Sequence, residues 1–199
     1  MQNNFYSIIL KIRNMKFNNR PNKSIKNDGT THWISRSCAV VSYVSAKIGS
    51  DFYILVGQRG QGTPDCKGLW NLPCGYLDWN ESGREAFFRE MWEETGINCE
   101  KLLKNYKIFI NTEEPWYIDT NPDSHLQNIS LHYSIVFDAT NSILPEFSTE
   151  NSEPDEVENL MWIKIKDAHK LHFGFDHKKR VKVFNEKFII PLENSLKIS

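Results

Sequence analysis

Apolar residues recur along the chain in short β-type runs divided by turn-forming clusters, with one helical interruption near the middle. The run WISRSCAVVSYVSA from Trp33 to Ala46 and the run FYILVGQR from Phe52 to Arg59 are rich in β-branched and aromatic residues, and Gly49-Ser50-Asp51 between them is turn-like. They predict a strand pair. Gly60 to Gly68 carries three Gly and a Pro, and forms a loop leading into Leu69-Trp70-Asn71-Leu72-Pro73. The spacing then turns helical. Ser82-Gly83-Arg84-Glu85 has the S-x-x-E form of a capping box, and Gly96 can close the far end, which bounds a helix near 82 to 95. Leu102 to Ile110, Ile129 to Phe137 and Leu160 to Ile165 read as strands, and Lys178 to Ile190 suits a closing helix.

The order is therefore β, β, α, β, β, β, α. Links too short for regular parallel crossovers point to an α/β (α+β) chain with a mixed sheet between helices rather than a doubly wound domain. Thr112 to His125, with Pro115 and Pro122, is a long loop of the kind that often carries function. Residues 1 to 31 are rich in Asn and Lys and poor in apolar residues after Leu10, so they are expected to be a mobile or weakly ordered arm, with the domain occupying 32–199.

Composition adds bounds. A chain of 199 residues with 24 Lys plus Arg against 25 Asp plus Glu fits one domain with a sizeable core. The balance argues against a dedicated nucleic-acid partner, though a small basic patch remains compatible with it. No apolar run approaches the roughly 18 residues that cross a bilayer, and Phe5 to Leu10 is short for a signal peptide, so a cytoplasmic location without a membrane partner is expected. Cys38, Cys66, Cys74 and Cys99 form no CxxC pair and are expected to be reduced.

The chemistry concentrates on the central helix. At 100° per residue, Phe87, Phe88, Met91 and Trp92 share one arc while Glu90, Glu93 and Glu94 share a roughly opposite one. Glu90 meets Glu94 at i,i+4, where like charges cost about 0.2 to 0.5 kcal/mol. A hard divalent cation would relieve that repulsion, since Mg²⁺ takes oxygen ligands and commonly joins carboxylates to substrate phosphates. Arg89, one turn after Glu85, can pair with that Glu and brace the acidic face.

Gly75 to Ile97 (GYLDWNESGREAFFREMWEETGI) resembles the Nudix box of the MutT-like hydrolases, G-x5-E-x7-R-E-U-x-E-E-x-G-U with U aliphatic, and matches it at every fixed position. The resemblance implies a Nudix-type α/β/α sandwich in which Glu90, Glu93 and Glu94 ligate Mg²⁺ or Mn²⁺ with help from a backbone carbonyl at Cys74 or Gly75. It implies Glu81 and Arg89 as supporting residues, and Glu90 or a Glu on a later loop, Glu153 or Glu156, as general base. Cys74 departs from the Gly found there in many members. The implied reaction is hydrolysis of a nucleoside diphosphate linked to another moiety, through metal activation of water and proton removal by a carboxylate.

Substrate contacts lie outside the box. Arg59, Trp70 and Tyr117 are candidates, with Trp116 as a further aromatic, while His172 and His177 suit capping or packing as well as chemistry. Pro115, eighteen residues after Ile97, lies near the position of a Pro common in ADP-ribose hydrolases, and Tyr117 lies near a Tyr seen in dinucleoside-polyphosphate members. The alternative reading is a catalytically silent sensing module. Pairing of Nudix proteins through their sheets makes a homodimer plausible.

Overall fold

The structure is a computed structural model that describes residues 23–34, 38–120, 128–153 and 155–198. Strands β1 (Lys23–Asn27) and β2 (Thr30–Ile34) form an antiparallel hairpin, followed by β3 (Cys38–Ile48), β4 (Asp51–Arg59), β5 (Trp70–Asn71) and β6 (Cys74–Tyr76). Helices α1 (Gly83–Thr95) and α2 (Cys99–Asn105) precede β7 (Lys107–Asn111), β8 (Tyr117–Asp119), β9 (Ile129–Asp138) and β10 (Val157–Lys164). A 3-10 turn (Ile165–Lys170), helix α3 (His177–Phe184), a π turn (Asn185–Ile189) and helix α4 (Ile190–Ile198) complete the described chain.

The main sheet runs β10-β4-β3-β9-β7, with β5 on β4, β6 on β3 and β8 on β9. β3 and β9 are parallel from Cys38↔Ile129 to Lys47↔Asp138, and the other pairs are antiparallel. This is the expected mixed sheet. Alternation along the central strands feeds two cores. Val40, Val44, Leu55, Tyr133, Ile135 and Phe137 meet Ala86, Phe87, Phe88 and Met91 of α1. Val41, Tyr43, Ile54, Val56 and Val136 meet Val181 and Phe184 of α3 and Ile189 of the π turn. Period-2 side chains thus bury both faces of one sheet between helical layers.

Three differences from the sequence reading have local causes. The strand expected from Leu102 starts only at Lys107, because Asn98 caps α2, its side-chain oxygen accepting from the Lys101 amide at 3.1 Å, and Leu102 is buried from a helix. A short apolar run does not distinguish a buried helical turn from a strand. Within the stretch expected as an arm, residues 23–31 belong to the β1–β2 hairpin. Its Asp28-Gly29 turn has φ of 49° and 78°, the left-handed pair that Asp-Gly supplies in two-residue hairpin loops; residues 1–22 lie outside the described residues. The closing helix continues past Ile190 through the π turn. Pro191 has no amide to donate and would crowd the carbonyl four residues back, and a wider turn with the Ile190 amide on the Asn185 carbonyl relieves that conflict.

The long loop expected over 112–125 contains β8, and residues 121–127 of it lie outside the described residues. Among the described residues no helix is long and apolar enough to cross a membrane.

Candidate active site

The acidic helix starts and stops where its sequence requires. The Ser82 hydroxyl accepts from the Glu85 amide at 3.3 Å, and the Glu85 carboxylate accepts from the Ser82 amide at 2.9 Å, which closes the capping box. Gly96 ends the helix at φ 72°, its amide on the Trp92 carbonyl. Glu85 is thereby engaged in the cap, and Arg89 finds its carboxylates elsewhere.

Arg89 is the hub. Its guanidinium grips Glu81 bidentately at 2.8 and 2.9 Å and donates to the Tyr76 carbonyl at 2.8 Å. Its remaining terminal nitrogen, Nη1, reaches both Glu90 and Glu93 at 2.7 Å. Asp78 stands 3.9 Å from Nε, and its own amide donates to Glu81 at 2.9 Å. One buried cation therefore faces several carboxylates. Bidentate gripping by a planar fork is a task for Arg rather than Lys.

Gly75 is fixed by close approach. A Cβ there would lie 2.2 Å from Oε1 of Glu90, so the β6 backbone passes directly against the carboxylate. Next to it, the Cys74 amide donates to Glu94 at 3.3 Å, a contact that any residue at 74 can make. The Cys74 thiol lies against the Asn71 amide at 3.5 Å and is pushed up by burial. β6 and α1 together thus gather Gly75, Glu90, Glu93 and Glu94.

Glu156 comes to the same place from the start of β10. Its carbonyl accepts from the Gly60 amide at 2.7 Å, and its carboxylate accepts from the Glu153 amide at 3.2 Å. A Cβ at Gly60 would strike the Asp155 carbonyl at 2.0 Å, so the two loops pack backbone to backbone. Glu153 itself is exposed.

The electrostatics follow from crowding and burial. Burial raises Glu90, opposed by Arg89 and reinforced by Glu93 and Glu156. Glu93 is pushed up to about 7, chiefly by burial. Glu94 is raised by burial and by repulsion from Glu90 and Glu156, and Glu156 is raised by burial. These carboxylates are short of positive charge. An all-oxygen, strongly anionic donor set fits a hard divalent cation. Among the described residues, no three acidic, His or Cys side chains yet surround a common point, since Glu90 and Glu93 are drawn to Arg89. Rotating them away would leave Arg89 anchored by Glu81.

The remaining candidates are more dispersed. Arg59 donates to Asp65 at 3.0 and 2.7 Å and lies over the Phe175 ring at 5.0 Å, with its charge felt at Glu94 and Glu156. Trp70 is half-buried in the α3-side core, its amide on the His172 carbonyl at 3.0 Å. Tyr117 lies under Arg180 at 4.3 Å and beside His132, next to Trp116. His177 is buried and accepts from the Leu72 amide at 3.0 Å, and burial holds it down to about 3, so it is a neutral packing residue; the His172 side chain is exposed.

Sequence reasoning did not find Asp78, the Arg180–Asp119 ion pair, the Tyr43–His132 hydrogen bond of 2.8 Å or Phe175. Asp78 lies inside the box at a variable position, and the two pairs join residues 61 and 89 apart, so no local spacing announces them.

A helix of grouped glutamates braced by a buried arginine, set on a mixed sheet between helices, defines an α/β/α sandwich built around an acidic helix. The chain belongs to the Nudix family, since the NUDIX domain profile matches residues 36–184. Among curated proteins, it is 53% identical to the phosphatase NudJ of Escherichia coli strain K12 over 34 residues, 17% of this chain and 22% of that one. The stretches matched span only about a fifth of such relatives' own length.

Solved structures share the fold. The NUDIX domain of Shewanella oneidensis NrtR, complexed with ADP ribose, has a TM-score of 0.56 at 16% identity, covering 77% of this chain and 88% of that one. A bifunctional NMN adenylyltransferase/ADP ribose pyrophosphatase from Francisella tularensis, complexed with AMP and a manganese ion, gives 0.55 at 23%, covering 77% and 42%. A Caenorhabditis elegans Ap4A hydrolase gives 0.53 at 19%, covering 74% and 96%.

Proposed function

We propose that the protein is a Mg²⁺- or Mn²⁺-dependent pyrophosphohydrolase that cleaves a nucleoside diphosphate linked to another moiety. The observation that carries this reading is the crowding of Glu90 and Glu93 on Arg89, with the buried Glu94 on the same helix and Glu156 adding its charge from the turn before β10. Glu90, Glu93, Glu94 and the Gly75 carbonyl would hold the metal, and Glu81 keeps Arg89 in place behind them. The bound ion would neutralise the diphosphate and make a water acidic enough to attack phosphorus near neutral pH.

The chain's own carboxylates do the rest. Glu90 or Glu156 accepts the water's proton, and Glu93 links the ligand set to Arg89. Arg59, Tyr117 and Trp70 are proposed as the nucleotide contacts, Arg59 for the phosphates and the two aromatics for the base or sugar. The family relatives named for ADP ribose and Ap4A support a nucleotide substrate. A silent sensing role is disfavoured because every acidic position of the box is filled.

The test is phosphate release from nucleoside triphosphates, ADP-ribose, nucleotide sugars and dinucleoside polyphosphates, through a coupled phosphatase, with Mg²⁺, with Mn²⁺ and with chelator. Metal-dependent turnover of one group is the expected result. Silence across the panel from folded protein would overturn the reading.

A further inference from the structure

The guanidinium of Arg59 is held on one edge and on one face. The loop that leaves β4 closes on its own base, with the Arg59 amide on the Leu69 carbonyl at 2.9 Å and the Gly68 amide on the Arg59 carbonyl at 2.8 Å. Within it, Thr63 Oγ1 donates to the Gly60 carbonyl at 2.8 Å, which tightens the turn that carries Asp65. Asp65 then takes the edge of the fork. Nε donates to its carbonyl at 3.0 Å and Nη2 to its carboxylate at 2.7 Å, while Nη1 makes no hydrogen bond among the described residues. A planar fork used on one edge keeps donors for a second acceptor.

Phe175 takes the face, its ring centroid 5.0 Å from the guanidinium carbon. The segment that carries it docks on the same loop, through the Trp70 amide on the His172 carbonyl at 3.0 Å and the Gly174 amide on the Trp70 carbonyl at 2.9 Å. A Cβ at Gly174 would lie 2.8 Å from Cβ of Cys66, so glycine is what permits this approach. The next residue turns sharply. Phe175 sits at φ 54°, a costly conformation for a bulky side chain, and its ring is 49% exposed and belongs to neither core. An aromatic held under strain, half in water and beneath a cation, is placed for that cation rather than for packing.

Main-chain contacts join Arg59 to the acidic site from two directions. The Gly60 amide is on the Glu156 carbonyl at 2.7 Å. On the other side Gln58 pairs with Trp70 of β5, and the chain runs from there to Cys74, whose amide donates to Glu94 at 3.3 Å. In keeping with this, the charge of Arg59 opposes the upward shifts of Glu94 and Glu156.

We infer that Phe175 is a positioning residue for phosphate recognition: with Asp65 on one edge of Arg59 and Phe175 on one face, the guanidinium is left to present Nη1 to a phosphate oxygen of the substrate. The inference rests on the proposed hydrolase function for phosphate as the ligand of Arg59.

It is tested by equilibrium binding of methylene-bridged ADP, with Mg²⁺, to the full chain and to Phe175→Leu and Phe175→Tyr, with Phe175→Leu made also in an Arg59→Ala background. Phe175→Leu is expected to bind about fivefold more weakly, with a melting temperature near that of the wild type because the ring is half exposed. Phe175→Tyr keeps a ring beneath the guanidinium and should bind within about twofold of the wild type. In the Arg59→Ala background Phe175→Leu should have no further effect, since the ring acts through the arginine. Unchanged affinity in Phe175→Leu, an equal loss in Phe175→Tyr, the same loss without Arg59, or no binding by the wild type would overturn the inference. Should Arg59→Ala not fold, the contrast between Leu and Tyr decides. Turnover is measured separately, so an absence of hydrolysis sinks the hydrolase reading while the binding differences stay readable.

Discussion

Two arginines on opposite sides of the sheet, Arg89 buried and Arg180 half-buried, solve different problems. Arg180 reaches from α3 to Asp119 of β8 and stacks on Tyr117, one cation matched by one anion. Arg89 faces Glu81, Glu90 and Glu93 together, with Asp78 close behind and Glu94 and Glu156 adding to the field. The first arrangement is electrically closed and ties β8 to the last helical layer. The second is negative in sum, which a fold tolerates only where a cation or a transferred proton belongs. Charge balance, rather than burial or hydrogen-bond count, is what separates the structural pair from the chemical site.

The contrast breaks most sharply at the ligands. Glu93→Gln or Glu94→Gln should cut metal-dependent turnover by several orders of magnitude while thermal melting stays near the wild-type value, because each change removes a charge from an overcrowded site. Full activity in both variants would remove the acidic helix from the chemistry. Next in size, Arg89→Met should cost about 3 to 5 kcal/mol in denaturant unfolding, since it strands several buried carboxylates. Arg180→Met strands one partly exposed carboxylate and should cost less. Equal losses would show that the two centres are alike after all.

Added Mg²⁺ should raise the melting temperature of the wild type, by the equivalent of about 2.7 kcal/mol at a hundredfold excess over its dissociation constant. The Glu93→Gln, Glu94→Gln double variant should lose this response, and the Arg180→Met variant should keep it. A final test concerns the closed side. Burial lowers His177 to about 3 and His132 to about 4 from the ordinary histidine value of 6.5, so the unfolded chain takes up their protons at higher pH than the folded one. Their stabilisation is complete above pH 6.5 and is lost as pH falls toward the folded values, with a limiting slope of about 1.4 kcal/mol per pH unit for each. Comparing the wild type with His177→Gln across that range cancels the carboxylates, which shift the opposite way, and should reveal a steeper acid loss in the wild type.

What the sequence made legible was what short spacing encodes. The Ser82–Glu85 cap, the Gly96 stop and the grouping of Glu90, Glu93 and Glu94 all follow from helix geometry, and the structure has each of them. The partner of Arg89 was misjudged because helical spacing points to Glu85, whereas the bidentate grip comes from Glu81 in the loop before the helix. Helix α2 was hidden because Leu102 and Leu103 are too few to show a period, and Asn98 announces its cap only once the chain direction is known. The Arg180–Asp119 and Tyr43–His132 contacts needed the sheet to be assembled first.

The π turn before Pro191 also sets an angle. A π turn holds one more residue than an α turn, and each residue of a helix advances the side chains by about 100°. Leu192 and Leu196 of α4 lie against the same core as Val181 and Phe184 because that extra residue has been absorbed. Deleting a single residue between Asn185 and Ile189 would rotate the terminal helix by a quarter turn or more and swing both leucines off the sheet. The last helix is keyed by rotational phase, so its sequence tolerates a change of residue type in that turn far better than a change in residue number.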